Sequence, residues 1–254
     1  MSNGTQIVKR DGTKEHLNID KIHKVVAHAC EGLAGVSSSQ IEMNANLQFY
    51  DGMTTAQIQE ILVRSANDLI NLDVPNYQYA AARLLSYSVN KQVFGEYEAI
   101  SLKQMIDLNI ERGVYDSTIL DSYTTDELDK LDSYIHHKRD ENFTYAGLRQ
   151  VVDKYLCQDR SSDQIFETPQ FMYMMIAATL FAQYPKETRM HYVRRYYDAT
   201  SLFKINIPTP VMAGVRTPVR QFASCVLVDS DDTLDSIFAS DMSIGRYTAQ
   251  RAGI

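Results

Sequence analysis

Residues 171 to 184, FMYMMIAATLFAQY, carry no charge and almost no polar side chain. The run falls short of the ~20 residues that a helix needs to span a bilayer, and it exceeds a common strand of about 5–6 residues. A helix that is apolar all round has to be enclosed all round, so the segment predicts a Met-rich core helix rather than a cofactor box or membrane segment. The rest of the chain must supply its cover. With 254 residues, 44% of them hydrophobic, it can do so as one large domain or two small ones.

Other stretches divide by texture. Ile7 and Val8 precede Asp11-Gly12, a dipeptide suited to a type I′ turn, and Glu15, His16 and Leu17 return on the far side, so a short hairpin opens the chain. Asn18 is placed to cap a helix in which Ile19, Ile22, Val25, Val26 and Ala29 keep the helical period and Gly32 marks the end. A second helix follows Ser37-Ser38-Ser39. A third follows Asp51-Gly52, with Thr54 and Gln57 at capping-box spacing and Ile58, Ile61, Leu62, Leu69 and Ile70 as its apolar stripe. Pro75 and Asn76 lead into YQYAAARLLSYSVNKQVFG, a helix stopping at Gly95. The acidic segment DSYTTDELDKLDSYIHHKRDE reads as a solvated helical face without a site. After the core helix, the prolines and glycine of FKINIPTPVMAG predict an extended passage, and Phe222 to Val228 a buried strand. Asp229 to Asp232 end that strand and cap a helix from Thr233; a lone buried strand requires neighbours for its backbone.

Chemistry-bearing residues are few. Lys9, Arg10, Lys14 and Lys21 gather at the hairpin turn and the next helix start, where cations and free amides together favour a phosphate; surface lysines flanking a hairpin would give the same pattern. The net charge of -7 argues against nucleic acid as a partner. Cys30, Cys157 and Cys225 are too few and too scattered for a disulfide framework or a zinc site, so no metal is expected. The start, MSNGTQIVKRDG, lacks the features of a signal peptide; with no spanning run, this predicts a cytoplasmic chain without membrane contact.

The pattern from Val8 to Ile22, VKRDGTKEHLNIDKI, resembles the ATP-cone, the nucleotide-binding regulatory module of many ribonucleotide reductase large subunits. The resemblance continues through Tyr115-Asp116 to Glu127, His137 to Asp140, Lys154-Tyr-Leu156, Glu167 to Phe171, Pro208 to Pro218, RQFASC and QRAGI, which look like class I large subunits in order. It implies a mainly α chain: an ATP-cone of small β-hairpin and helical bundle at 1–95, a helical domain at 96–220, and at 221–254 the first strand and helix of an incomplete ten-stranded α/β barrel.

By the same resemblance, ATP or dATP would bind as allosteric effector at Lys9, Arg10, Glu15, Asn18, Lys21, Thr55 and Lys91. Thr209, Ser224, Ala252 and Gly253 would hold the diphosphate substrate, and Cys225 would be one of the reducing cysteines. Asp232, Thr233 and Leu234 would bind the specificity effector. The implied partners are the C-terminal remainder of the large subunit, a metal-containing small subunit that supplies the radical, thioredoxin or glutaredoxin, and a second large subunit. The remaining barrel would come either from a longer chain or from the other half of a split phage or bacterial large subunit. Gln57 and Gln59 stand where strongly dATP-inhibited relatives carry Asp and His, Ser88 replaces a frequent His, and Phe238 a frequent Asn. The competing reading is a non-catalytic nucleotide sensor, which would have no need of the motifs from Thr209 to Ala252.

Overall fold

A computed structural model of the chain describes residues 4–96, 98–250 and 252–254; Arg251 of the QRAGI motif lies outside them. Two compact units form, Met1–Glu98 with Lys138–Asp153, and Ala99–His137 with Lys154–Ile254. Residues 138–153 thus group with the N-terminal stretch, a grouping that consecutive segments at 1–95, 96–220 and 221–254 do not have.

In the first unit β1 (Gln6–Val8) pairs antiparallel with β2 (Lys14–His16), Ile7 lying opposite Glu15. The turn differs from type I′, which needs positive φ at both central residues. Here Gly12 is left-handed at φ 82 while Asp11 is not, and the Gly12 N–H closes the loop on the Lys9 carbonyl at 3.0 Å. The Asp11 carboxylate accepts from the Thr13 N–H and hydroxyl at 2.9 and 2.7 Å, which fixes this longer loop.

Helix α1 (Ile19–Cys30) starts where Asn18 Oδ1 accepts from the Lys21 N–H, and it buries Ile22, Val26 and Ala29. Ser37 caps α2 (Ser38–Asn46). A two-residue β3 (Met53–Thr54) then lies parallel to β1, an element too short to carry a period in the sequence. The capping box of Thr54 and Gln57 opens α3 (Thr55–Asn67). That helix ends before Leu69 and Ile70, which therefore do not extend its stripe. In α4 (Tyr77–Phe94) the buried Ala80, Ala81 and Ala82 present little bulk, so neighbouring helices can approach closely, and Gly95 at φ 78 supplies the left-handed cap.

The second unit begins with α5 (Leu102–Glu111), α6 (Thr118–Ser122) and α7 (Thr125–Asp132), after which a 3-10 helix (His137–Asn142) and α8 (Tyr145–Lys154) fall almost wholly in the first unit. A small ribbon, β4 (Gln158–Asp159) with β5 (Gln164–Ile165), leads into α9 (Pro169–Leu180) and α10 (Lys186–Ser201). Every residue from Pro169 to Ala178 is buried, as a helix apolar all round requires. The acidic segment is less solvated than its charge suggests. Glu127 pairs with the buried Arg189 at 2.5 Å, and that guanidinium lies 4.4 Å from the centre of the Tyr123 ring.

Two expectations near the C-terminal end are corrected. The proline-rich passage contains a short helix, α11 (Thr209–Gly214), because Pro208 and Pro210 fall at its cap and first turn, where a missing N–H costs no helical bond. Residues 222 to 228 form no regular strand and are not buried: Cys225 is exposed, Phe222 is 51% exposed and Leu227 97%. Among the described residues they pair through the Val226 N–H on the Gly253 carbonyl at 2.9 Å and the Gly253 N–H on the Ala223 carbonyl at 3.4 Å. The last helix, α12 (Leu234–Ala249), is capped by the Thr233 hydroxyl rather than by an aspartate, and none of its described residues is buried.

The second unit buries an ion pair, Arg216–Glu167, with both side chains fully enclosed. Arg216 Nε donates to the Glu167 carboxylate at 2.9 and 3.1 Å, and the Tyr115 hydroxyl and Cys157 N–H donate to it at 2.6 and 2.7 Å. Burial by itself would raise the Glu167 pKa, but the Arg216 charge and these donors hold it below the ordinary carboxylate value. A depressed folded-state pKa contributes stability above the unfolded value of about 4.3, and that contribution is lost as pH falls through the folded value. Glu167→Ala, which strands the buried guanidinium, is expected to cost about 3–5 kcal/mol in urea unfolding at neutral pH and to remove this acid-dependent loss. An unchanged urea midpoint would show that the pair carries no such weight.

Candidate functional site

The hairpin, α1, α3 and α4 surround an open cavity of about 470 Å³, lined by Lys9, Arg10, Asp11, Glu15, Lys21, Thr55, Gln59, Tyr87, Ser88, Lys91 and Gly95. A smaller cavity of about 140 Å³ shares Glu15, Lys21, Thr55 and Gln59 with it and adds Asn18. Each residue singled out in this part of the sequence as a nucleotide contact therefore reaches one of two connected hollows. Because Asn18 Oδ1 caps α1, its side-chain NH₂ is the part that can face a ligand.

Glu15 holds the cationic wall in place. Its carboxylate lies 2.7 Å from Lys9 Nζ and 3.6 Å from Lys21 Nζ. The hydrogen bond with Lys9 holds the Glu15 pKa below and the Lys9 pKa above their ordinary values. An incoming phosphate can take over these ammonium groups without first gathering them, while Asp11 is occupied inside the turn. Gln59 Nε2 donates to the Leu84 carbonyl at 2.7 Å, which braces α3 on α4 beside the cavity. Sequence reasoning missed Tyr87 as a lining residue. Its position one helical turn before Lys91 was the available signal. Burial first, and nearby Glu141 second, push its phenol up to about 12.

The second group of expected site residues lies in the other unit and is only partly assembled. Ser224 and Gly253 come together through the backbone bonds described above, so closely that a Cβ at residue 253 would overlap the Ser224 carbonyl oxygen. Ala252 precedes it just past the end of α12, its N–H on the Tyr247 carbonyl of that helix at 3.1 Å. Cys225, on that segment, is exposed, whereas the half-buried Cys30 thiol is pushed up to about 11 by burial and Cys157 is buried. Thr209, the first residue of α11, meets the Tyr155 hydroxyl at 3.2 Å. Asp232 is exposed next to Thr233, which caps α12, and Leu234 is 70% exposed.

Residues 5–92 match the ATP cone domain, and residues 141–220 match the all-alpha domain of ribonucleotide reductase. Over its full length the chain is 48% identical to the ribonucleoside-diphosphate reductase subunit alpha of Haemophilus influenzae and 48% identical to the ribonucleoside-diphosphate reductase 1 subunit alpha of Escherichia coli. The chain belongs to the class I ribonucleotide reductase large subunits. It corresponds to their N-terminal region and spans 34% and 33% of those two relatives. The alpha subunit of Enterobacteria phage T4 is 41% identical over 98% of the chain, which covers 33% of that protein.

For a reductase ATP-cone the cavity supplies a direct test by calorimetric titration with ATP. Lys9→Ala and Lys91→Ala are expected to weaken binding about five- to tenfold, the scale of losing one partly exposed charge-assisted contact. Lys14→Ala is expected to bind like the parent, since Lys14 is exposed on β2 and lines neither cavity. Equal, negligible effects of all three would move the nucleotide away from the hairpin.

Proposed function

We propose that the chain is the regulatory and substrate-facing part of an enzyme that reduces ribonucleoside diphosphates to deoxyribonucleotides for DNA synthesis. The observation that carries this reading is 48% identity over the whole chain, a length that takes in the cone and the RQFASC and QRAGI stretches alike. A nucleotide sensor would account for the cone alone. The match at 141–220 and the approach of Ser224 to Gly253 favour the reductase.

In this reading ATP or dATP occupies the cone, its phosphates on Lys9, Arg10, Lys21, Thr55 and Lys91 and its base side on Glu15 and Asn18. Thr209, Ser224 and the backbone at Ala252 and Gly253 hold the diphosphate of the substrate. Cys225 forms one half of a thiol pair whose second cysteine lies in the remainder of the barrel. The pair gives two electrons and two protons as the 2′-hydroxyl leaves as water, and it ends as a disulfide that thioredoxin or glutaredoxin reduces. A metal-containing small subunit supplies the radical, with no metal held by this chain. Cys225 suits the role as the exposed thiol, in contrast to Cys30 and Cys157.

Residues 221–254 give the first strand and helix of the ten-stranded barrel, and Asp232, Thr233 and Leu234 face the specificity effector. The bare apolar side chains here, Phe222, Leu227, Ile237, Phe238 and Met242, support cover by the remainder of the barrel and by a second large subunit. Among the described residues no helix is long and apolar enough to cross a membrane.

Two outcomes follow for the holoenzyme assembled with the rest of the barrel and the small subunit. Cys225→Ser should leave assembly intact and abolish multiple turnover; full turnover by this variant would remove Cys225 from the reducing pair. Inhibition by dATP should be weak, because shut-off needs a nucleotide that prefers an inactive arrangement. Gln57 is engaged in the helix cap and Gln59 on the Leu84 carbonyl, where strongly inhibited relatives carry Asp and His. Shut-off at micromolar dATP in steady-state assays would show that other cone residues suffice.

A further inference from the structure

Tyr155 lies outside the contacts assigned above, yet its position is fixed from two sides. Its carbonyl accepts from Arg216 Nη2 at 2.9 Å, and its phenol oxygen lies 3.2 Å from Thr209 Oγ1. The same guanidinium donates through Nη1 to the Met212 carbonyl at 2.5 Å, on the short helix α11 that begins with Thr209. One buried group therefore sets both the Tyr155 backbone and the element carrying Thr209. Tyr155 also lines a cavity of about 230 Å³ together with Lys154, Arg160 and Ala213 of α11.

We propose that Tyr155 is a positioning residue that orients the Thr209 hydroxyl as a hydrogen-bond donor to a phosphate of the substrate, an inference that rests on the reading of Thr209 as a diphosphate contact. The argument is one of donors and acceptors. A threonine hydroxyl has a single hydrogen, whereas its oxygen can accept from others. Ionised phosphate oxygens only accept. The Thr209 hydrogen must therefore point at the phosphate, and the bond to Tyr155 must run the other way, with the phenol donating to Thr209 Oγ1. An oxygen already occupied by that donor leaves its own hydrogen directed away from Tyr155. Tyr155→Phe keeps the ring and its packing but removes the donor, so the Thr209 hydroxyl loses its preferred direction.

The test is a double-mutant cycle in the holoenzyme, with Tyr155→Phe, Thr209→Val and the pair placed in the complete large subunit and assayed with the small subunit. Tyr155→Phe is expected to raise KM for the ribonucleoside diphosphate about three- to tenfold, the range for one hydrogen bond, with kcat nearly unchanged. Thr209→Val should raise KM at least as much, and Tyr155→Phe should add nothing further in that background. A KM increase from Tyr155→Phe that is equal in both backgrounds, or a fall in kcat at constant KM, would overturn the positioning role. If Thr209→Val raises KM while Tyr155→Phe is silent, the positioning role fails and the reading of Thr209 stands. If Thr209→Val leaves KM unchanged, Thr209 is no diphosphate contact and both fail.

Discussion

The guanidinium of Arg216 organises the second unit because it has no solvent to fall back on. Its donors reach the Glu167 carboxylate, the Met212 carbonyl and the Tyr155 carbonyl, and Glu167 fills its remaining capacity from Tyr115 and the Cys157 N–H. These groups come from stretches far apart in the chain: Tyr115, Tyr155 and Glu167 belong to three motifs of the reductase resemblance, Met212 and Arg216 share a fourth, and Cys157 directly follows the second. A buried charge in a low-dielectric interior is tolerated only while its partners are complete, so loss of one partner penalises all the others. The motifs that identify the family in this unit are thus largely a single polar joint, and α11 with Thr209 is mounted on it. The Asp116 N–H on the Arg216 carbonyl at 3.0 Å ties the loop before α6 to the same point.

The ion pairs of the first unit have the opposite character. Glu15 with Lys9 and Lys21 is open to water, so the attraction is screened and little stability depends on it. That weakness suits a binding site. The lysines are already gathered around a carboxylate, and a phosphate offers more acceptor oxygens for the same ammonium groups. The rigid parts of the site are backbone features instead: the Gly12 turn, the parallel pairing of β1 with β3, and the capping box that starts α3 beside Thr55. Substitutions in the buried joint therefore act through folding, whereas substitutions at the cone wall act through affinity.

Much of the helical architecture was legible because local signals agreed with tertiary ones. Asn18, Thr54 and Gly95 act as the caps their residue types predict, and the apolar run after Pro169 is an enclosed core helix as far as Ala178, whereas Leu180 and Tyr184 at its far end are exposed. The misreadings came where short-range cues compete. Asp11-Gly12 fits more than one turn, and the side-chain bonds from Asp11 to Thr13 decide between them. The prolines around Thr209 are compatible with either an extended chain or a helix start. Arg216 and Glu167 carry no mark in the sequence that says they will be buried against each other, since their separation is resolved only by the fold. Convergence of the cone residues was legible through the family resemblance. The link from Tyr155 to Thr209 was not, because it depends on where one carbonyl is held.

The segment from Phe222 to Ala249 obeys a different balance from the rest. Its helix is well made locally: Thr233 caps it, and Ser240 and Ser243 bond back to carbonyls one turn earlier. Isolated helices near its length of 16 residues are nonetheless marginal in water, since packing of an apolar face supplies most helix stability in proteins. Here Leu234, Ile237, Phe238, Met242 and Ile244 remain exposed, and Phe222 and Leu227 join them from the preceding segment. Among the described residues the Gly253 backbone bonds to that segment at Ala223 and Val226, and no regular strand forms there. Capping and serine bonds can define a helix, but they cannot account for so many apolar side chains along it. Those side chains are intelligible as the face of a contact surface, and the missing side chain at Gly253 lets its own backbone lie against the Ser224 carbonyl beside that face.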